Sequence, residues 1–169
     1  WDWTKISDNP NITWEIILNN PIIKWKPCFS RPPTWEIIKN NPDKKWCWYF
    51  ISRDPNITWE IIKNNLTYPW HWFSISSNPN ITWEIIQNNP DKNWKFDLIS
   101  INPNITWEII QNNPDKDWDW KNISSNPNIT WEIIQNNLDK DWSWYWLSHN
   151  DMEKGKKTWI NDLRLKIIK

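Results

Sequence analysis

The apolar positions of the chain recur with a long period before they recur with a short one. The run Asn104-Ile105-Thr106-Trp107-Glu108-Ile109-Ile110-Gln111-Asn112-Asn113-Pro114 has near-copies around Trp14, Trp35, Trp59, Trp83 and Trp131, and from Trp35 onward the step is a constant 24 residues. A fixed step of this size marks a tandem-repeat architecture, in which each unit buries its apolar face only against its neighbours. The full unit 107–130 holds two apolar segments, A and B, separated by Asn- and Pro-rich breaks.

Segment A predicts a helix. Thr106 is placed as N-cap, where its hydroxyl accepts from an orphan N–H. Glu108 then falls in the first turn, which the helix dipole favours. Ile105 before the cap and Ile110 after it have the spacing of a hydrophobic staple. Asn112-Asn113-Pro114 ends the segment. The chain has one glycine, Gly155, so the Asn pairs at 19–20, 40–41, 64–65, 88–89, 112–113 and 136–137 are expected to supply the left-handed turn that closes a helix. Segment B predicts a second helix, with Asp115 as cap, Asp117 in the first turn and Pro69 tolerated at the matching place in another unit. Trp120 and Ile123, three apart, share a face. A β-reading competes: Ile-Thr-Trp-Glu-Ile-Ile is rich in β-branched and aromatic residues, and 24 residues also suits a leucine-rich-repeat-like solenoid with one strand per unit. The cap pattern and the adjacent Ile pair favour helices. The expected fold is therefore all-α, a short α-solenoid of two-helix repeats of 24 residues.

Two places depart from the pattern. The step from Trp14 to Trp35 is 21, and Pro27 replaces the second Trp of that unit, so a degenerate repeat with a shortened or broken B helix is expected at about 21–34. The regular repeats run to 148. The stretch 149–169 reads as an insertion followed by a capping helix, with Ile160, Leu163 and Ile167 on one face. Trp1-Asp2-Trp3 matches Trp118-Asp119-Trp120, so the chain is expected to begin inside a repeat.

Composition sharpens this picture. The 169 residues include 20 Trp, and one indole can bury about 150–250 Å². The core is accordingly expected at Trp14, Trp35, Trp59, Trp83, Trp107 and Trp131 of the A segments and at Trp94, Trp118 and Trp142. The second-position Trp48, Trp72, Trp120 and Trp144 are candidates for an interface, where Trp is a favoured anchor. Lys+Arg and Asp+Glu are 20 each, which removes the simplest reason to expect nucleic acid or an anionic membrane as partner. No apolar run approaches the roughly 18 residues needed to span a bilayer.

The motif Ile-Ser-x-Asn-Pro-Asn-Ile-Thr-Trp-Glu-Ile-Ile, followed by Asn-Asn-Pro-Asp-Lys-x-Trp-x-Trp, occurs almost unaltered around Trp83, Trp107 and Trp131. It resembles the tryptophan-rich repeats encoded by giant DNA viruses. The resemblance implies a repeat protein that binds another protein, in the host cytoplasm or virus factory. It carries over no catalytic or ligand residues, and the Pro27 unit and the tail after Ser148 depart from it.

Candidate chemistry is thin. The A-segment glutamates (Glu15, Glu36, Glu60, Glu84, Glu108, Glu132) form a periodic row, but repeats about 9–10 Å apart are too far for neighbouring carboxylates to share a metal, and a solvated dipole partner is preferred. Trp pairs such as Trp46/Trp48, Trp70/Trp72 and Trp118/Trp120 have the look of a stacking platform for sugars or bases. Single-strand binders pair such platforms with positive charge, whereas Asp117, Asp119 and Asp141 flank these indoles. His71 and His149 lack triad or metal spacing, Cys28 and Cys47 do not read as a disulfide framework, and no cofactor is expected. A reducing, intracellular setting is preferred. The Asn-Ile-Thr sequons are read as helix-cap chemistry rather than glycan sites. The basic tail from Lys154 to Lys169 reads as a solvated cap face. The expected function is a non-enzymatic scaffold for an unknown protein partner. The alternative is a module binding glycan or single-stranded nucleic acid through exposed Trp.

Overall fold

The computed structural model describes residues 5–6, 9, 11–25 and 32–150. The expected break at Pro27 and the expected capping helix at 158–169 lie outside them. The described residues contain no strand, and their helices alternate in the expected order. The A helices are α1 (Trp14–Asn19), α2 (Trp35–Asn40), α4 (Trp59–Lys63), α6 (Trp83–Gln87), α8 (Trp107–Asn112) and α10 (Trp131–Gln135). The B helices are α3 (Trp48–Arg53), α5 (Trp72–Ser76), α7 (Phe96–Ile101), α9 (Trp120–Ile123) and α11 (Trp144–His149). The fold is the all-helical, regularly spaced repeat array read from the period. The chain divides into two compact units, Trp1–Asn80 and Ile81–Lys169. In the first, α3 packs on α5; in the second, α7 packs on α9.

Helices of four to six residues are far too short to persist alone, because nucleation is costly and few bonds follow it. Caps and packing hold them. Every A helix has its Thr cap: Thr13, Thr34, Thr58, Thr82, Thr106 and Thr130 each accept from the N–H of the Ile three residues on. The helix ends differ from expectation. No described residue other than glycine has a positive φ. The second Asn of each pair closes the helix with its side chain instead. Asn113 Nδ2 donates to the Ile109 carbonyl at 2.7 Å, and Asn41, Asn65, Asn89 and Asn137 repeat the bond. An amide that reaches back to an orphan carbonyl makes the left-handed turn unnecessary.

The B helix also starts later than its sequence signals place it. Asp115 lies in the turn, and α9 begins at Trp120 with Asp119 as cap, its Oδ1 accepting from Asn122 N–H at 2.7 Å. Pro69 sits ahead of α5 rather than inside its first turn. The intervening loop is pinned by an indole. Trp118 Nε1 donates to the Asn113 carbonyl at 2.7 Å, and Lys116 N–H donates to the same oxygen at 3.3 Å. Trp46, Trp70, Trp94 and Trp142 make the same clamp on Asn41, Asn65, Asn89 and Asn137. The first Trp of each Trp-x-Trp pair is therefore a loop clasp, and only the second is helical.

The core is chiefly isoleucine. Each regular repeat supplies one from the turn (Ile57, Ile81, Ile105, Ile129), one from helix A (Ile62, Ile86, Ile110, Ile134) and one from helix B (Ile51, Ile75, Ile99, Ile123), all buried. Each such side chain is worth about 1.5–3 kcal/mol relative to exposure. Of the adjacent Ile pair in helix A, only the second is buried; Ile109 and its equivalents remain partly exposed.

Candidate functional site

The core sites expected at indoles divide by position. Trp14, Trp35, Trp59, Trp83, Trp107 and Trp131 are half-buried, as are Trp94 and Trp118, whereas Trp70 and Trp142 are buried. The clasp indole reaches back to the preceding repeat. Trp142 lies 5.7 Å from Trp107 and 5.2 Å from Trp120, the latter edge-on. Trp70 repeats the arrangement against Trp35 at 5.8 Å and Trp48 at 5.0 Å, and Trp118 against Trp83 and Phe96. Edge-to-face and offset pairs at these separations are favourable geometries for aromatic rings. The candidate interface indoles Trp48, Trp72 and Trp120 are consequently half-buried, and Trp144 is 58% exposed.

A buried polar framework joins the repeats, and the sequence reading missed it. The first Asn of Asn-Pro-Asn is fully enclosed at 78, 102 and 126. Asn126 Nδ2 donates to the carbonyls of Ser100, Asn102 and Ile105 in the preceding repeat at 2.9, 3.1 and 3.2 Å, while its Oδ1 accepts from Asn128 N–H. Asn78 does the same to Ser52, Asp54 and Ile57, and Asn150 donates to Ser124 and Asn126. The second Asn adds a parallel row: Asn80 to Pro55, Asn104 to Ile81, Asn128 to Pro103. The buried serine of helix B completes it. Ser100 Oγ donates to the Phe96 carbonyl at 2.6 Å and accepts Asp119 N–H at 2.9 Å; Ser124 links Trp120 and Ser143 in the same way. No buried side-chain polar atom among the described residues lacks a partner, as buried groups require. The repeated Ile-Ser and Asn-Pro-Asn were visible in the sequence as constant residues with no helical role; that constancy was the available signal.

Once the framework is subtracted, exposed positions of the B helices are among those that vary most in chemical type between repeats. The position after the helix-initial residue reads Tyr49, Phe73, Asp97, Lys121 and Tyr145, and all are exposed. The cap position reads Cys47, His71, Lys95, Asp119 and Ser143. In the first unit these residues form one patch. Tyr49 and His71 rings meet at 5.3 Å, His71 and Phe73 at 6.0 Å, and the Arg53 guanidinium stands 6.0 Å from the Tyr49 centroid. His71 is held by its own helix, Nδ1 accepting from Ser74 N–H. In the second unit, Tyr145 and His149 lie 4.7 Å apart, and Lys121 stands 5.4 Å from the Trp146 ring.

A cavity of about 750 Å³ opens in the first unit beside Trp14, Ile17, Trp25, Trp46, Phe50 and Ile51. Ile17, at the position that is buried in every other A helix, is only half-buried beside it. No group of three His, Cys, Asp or Glu among the described residues is arranged to hold a metal. The row of A-helix glutamates is exposed, with Glu36 and Glu60 paired to Lys39 and Lys63 one turn on. Cys47 is disulfide-bonded. The sequence reading expected no such bond, and a disulfide is at odds with a reducing compartment. The chain's other cysteine, Cys28, lies outside the described residues. No helix among the described residues is long and apolar enough to cross a membrane. No family model, curated protein or solved structure matches the chain.

Proposed function

We propose that the chain is a protein-interaction scaffold of the tryptophan-rich repeat type, and that it docks its partner through the exposed B-helix positions of a unit, those of α3 and α5 in the first. The supporting observation is the separation of roles within the repeat. The Ile, Ser, Asn and Thr positions that hold the array recur, while the exposed B-helix positions change from unit to unit. Repeat proteins bind through such outward positions because the framework beneath does not depend on them. The Tyr49–His71–Phe73 patch with Arg53 beside it suits a partner offering an apolar anchor flanked by carboxylates; aromatic and Arg side chains are the residues that dominate such contacts.

The test is residue-resolved. A photo-crosslinking residue at position 73 is expected to capture one partner from native lysate, and the same residue at position 63 on helix α4 is not. Tyr49→Ala with Phe73→Ala is expected to cut recovery of that partner at least about tenfold, a loss of about 1.4 kcal/mol, with an unchanged unfolding midpoint. Equal capture at positions 63 and 73 would exclude the B-helix positions.

A further inference from the structure

The chain carries seven Asn-x-Ser/Thr sequons, at Asn11, Asn56, Asn65, Asn80, Asn104, Asn122 and Asn128. A glycan is bulky and sits on the surface, so the fold can carry one on such a triplet only where the Asn side chain faces solvent uncommitted. The structure sorts the seven into two sets. Five amides are committed. Asn65 Nδ2 donates to Ile61, Asn80 to Pro55, Asn104 to Ile81, Asn122 to Asp97 and Asn128 to Pro103, at 2.6 to 3.0 Å. All five residues are half-buried. Asn11 and Asn56 are exposed, and among the described residues each is bonded through its backbone N–H, to the Oδ1 of Asn9 and Asp54 respectively, and not through its side-chain amide.

The reason for Asn56 is legible in the repeat. Its equivalents Asn80 and Asn128 donate to carbonyls 25 and 23 residues back. For Asn56 those positions are 31 and 33, inside the shortened unit, where Ser30-Arg31-Pro32-Pro33-Thr34 replaces Asn-Pro-Asn-Ile-Thr. Among the described residues Asn56 Nδ2 makes no bond of the kind its counterparts make. The disulfide at Cys47 is an independent observation in the same direction, since disulfides and N-glycans arise in the same oxidising, secretory setting.

We propose that Asn56, and by the same criterion Asn11, is an N-glycan acceptor, while the sequons at Asn80, Asn104 and Asn128 are structural. In the reaction the Asn56 amide nitrogen bonds to the anomeric carbon of a polyprenyl-diphosphate oligosaccharide. The carbon–oxygen bond to the diphosphate breaks, the diphosphate leaves with the electron pair, and the amide proton passes to a base of the transferase. Thr58 keeps its other role, since its Oγ1 accepts from Ile61 N–H in the folded chain.

The full chain is expressed behind a secretory leader in eukaryotic cells, and the folded monomer is deglycosylated enzymatically in heavy-oxygen water. Mass spectrometry is expected to find labelled Asp at 56 and 11 and none at 80, 104 or 128. Asn56→Gln is expected to remove the label at 56 without moving the unfolding midpoint, whereas Asn104→Gln lowers that midpoint. Thr58→Ser retains both the label and the cap. An unmodified Asn56, or label at Asn104 and Asn128 equal to that at Asn56 in the folded fraction, overturns the assignment. So does destabilisation by Asn56→Gln matching that by Asn104→Gln.

Discussion

Asn126 uses both ends of its amide: two hydrogens satisfy three carbonyls of the previous turn, and the oxygen holds the next backbone N–H. Removing the amide strands buried acceptors, each costing about 1–3 kcal/mol. Asn126→Ala is therefore expected to destabilise by about 3 kcal/mol in urea unfolding. Asn126→Asp is expected to do worse, because a carboxylate would face three carbonyls with nothing to donate. A loss below about 0.5 kcal/mol, the scale of an ordinary surface change, would remove this ladder from the account of what joins the repeats. Asp54 occupies the same register but is only half-buried, and its Oδ1 accepts from Asn56 N–H. Asp91, Asp115 and Asp139 are the opposite case. The hydrogen bond from the next-door Lys holds each carboxyl below its usual 3.8. A depressed folded value means stabilisation that is present above 3.8 and lost as pH falls through the lower folded value. These groups are fully exposed, so screening weakens the effect. Replacing Lys92, Lys116 and Lys140 by Met is expected to lower the neutral-pH midpoint only slightly and to leave the midpoint unchanged once pH falls below the folded carboxyl value. A clear loss at neutral pH would mean that the ion pair, rather than the indole clasp, sets the turn.

At the scale of the element, the A helix was readable because its start is a local signal. Thr106 followed by Trp-Glu-Ile-Ile specifies the cap, the acidic first turn and the buried Ile110 without reference to the rest of the chain. Thr106→Ala is expected to cost about 1 kcal/mol and Thr106→Ser much less, both measured by denaturant midpoint. Equal losses would show that the methyl rather than the hydroxyl matters. The B helix was misplaced because its start is not local. Asp115 carries a better capping side chain than Lys95, yet the loop runs on to the residue between the two aromatics, because the indole must reach the Asn carbonyl five residues behind it. Trp118→Phe keeps the ring and deletes that donor. It is expected to destabilise by about 1 kcal/mol, against about 3–5 kcal/mol for Trp118→Ala. The same long-range logic hid the core. Composition pointed to indoles, but the clasp and the ring pairs keep most of them at the margin, and three isoleucines per repeat fill the centre. The candidate interface was legible only after the framework was known, because variation between repeats has meaning once the constant positions have been given their work.

At the scale of the whole molecule, the hydrogen bonds seen to join repeats among the described residues span 19 to 26 residues. None depends on a distant part of the sequence, so stability within a unit is expected to grow roughly by addition of neighbours. The period is also rigid. A clasp indole reaches 35 residues back to an A-helix indole, from Trp142 to Trp107 and from Trp118 to Trp83. The ladder amide bonds its partners 26, 24 and 21 residues back. One residue more or less breaks each such register that spans it. Duplicating 107–130 in tandem inserts one whole 24-residue period into the second unit. It adds three buried isoleucines, one buried Asn and one buried Ser, with no loop that is not already present. The urea midpoint is expected to rise and the slope to increase with the surface newly buried. An otherwise identical insertion lacking one turn residue, such as Pro127, is expected to lower the midpoint below that of the parent chain, because the amide of the following repeat no longer meets the inserted carbonyls. If the two insertions behaved alike, hydrophobic mass alone would explain the stability, and the hydrogen-bonded registration of one repeat on the next would be incidental.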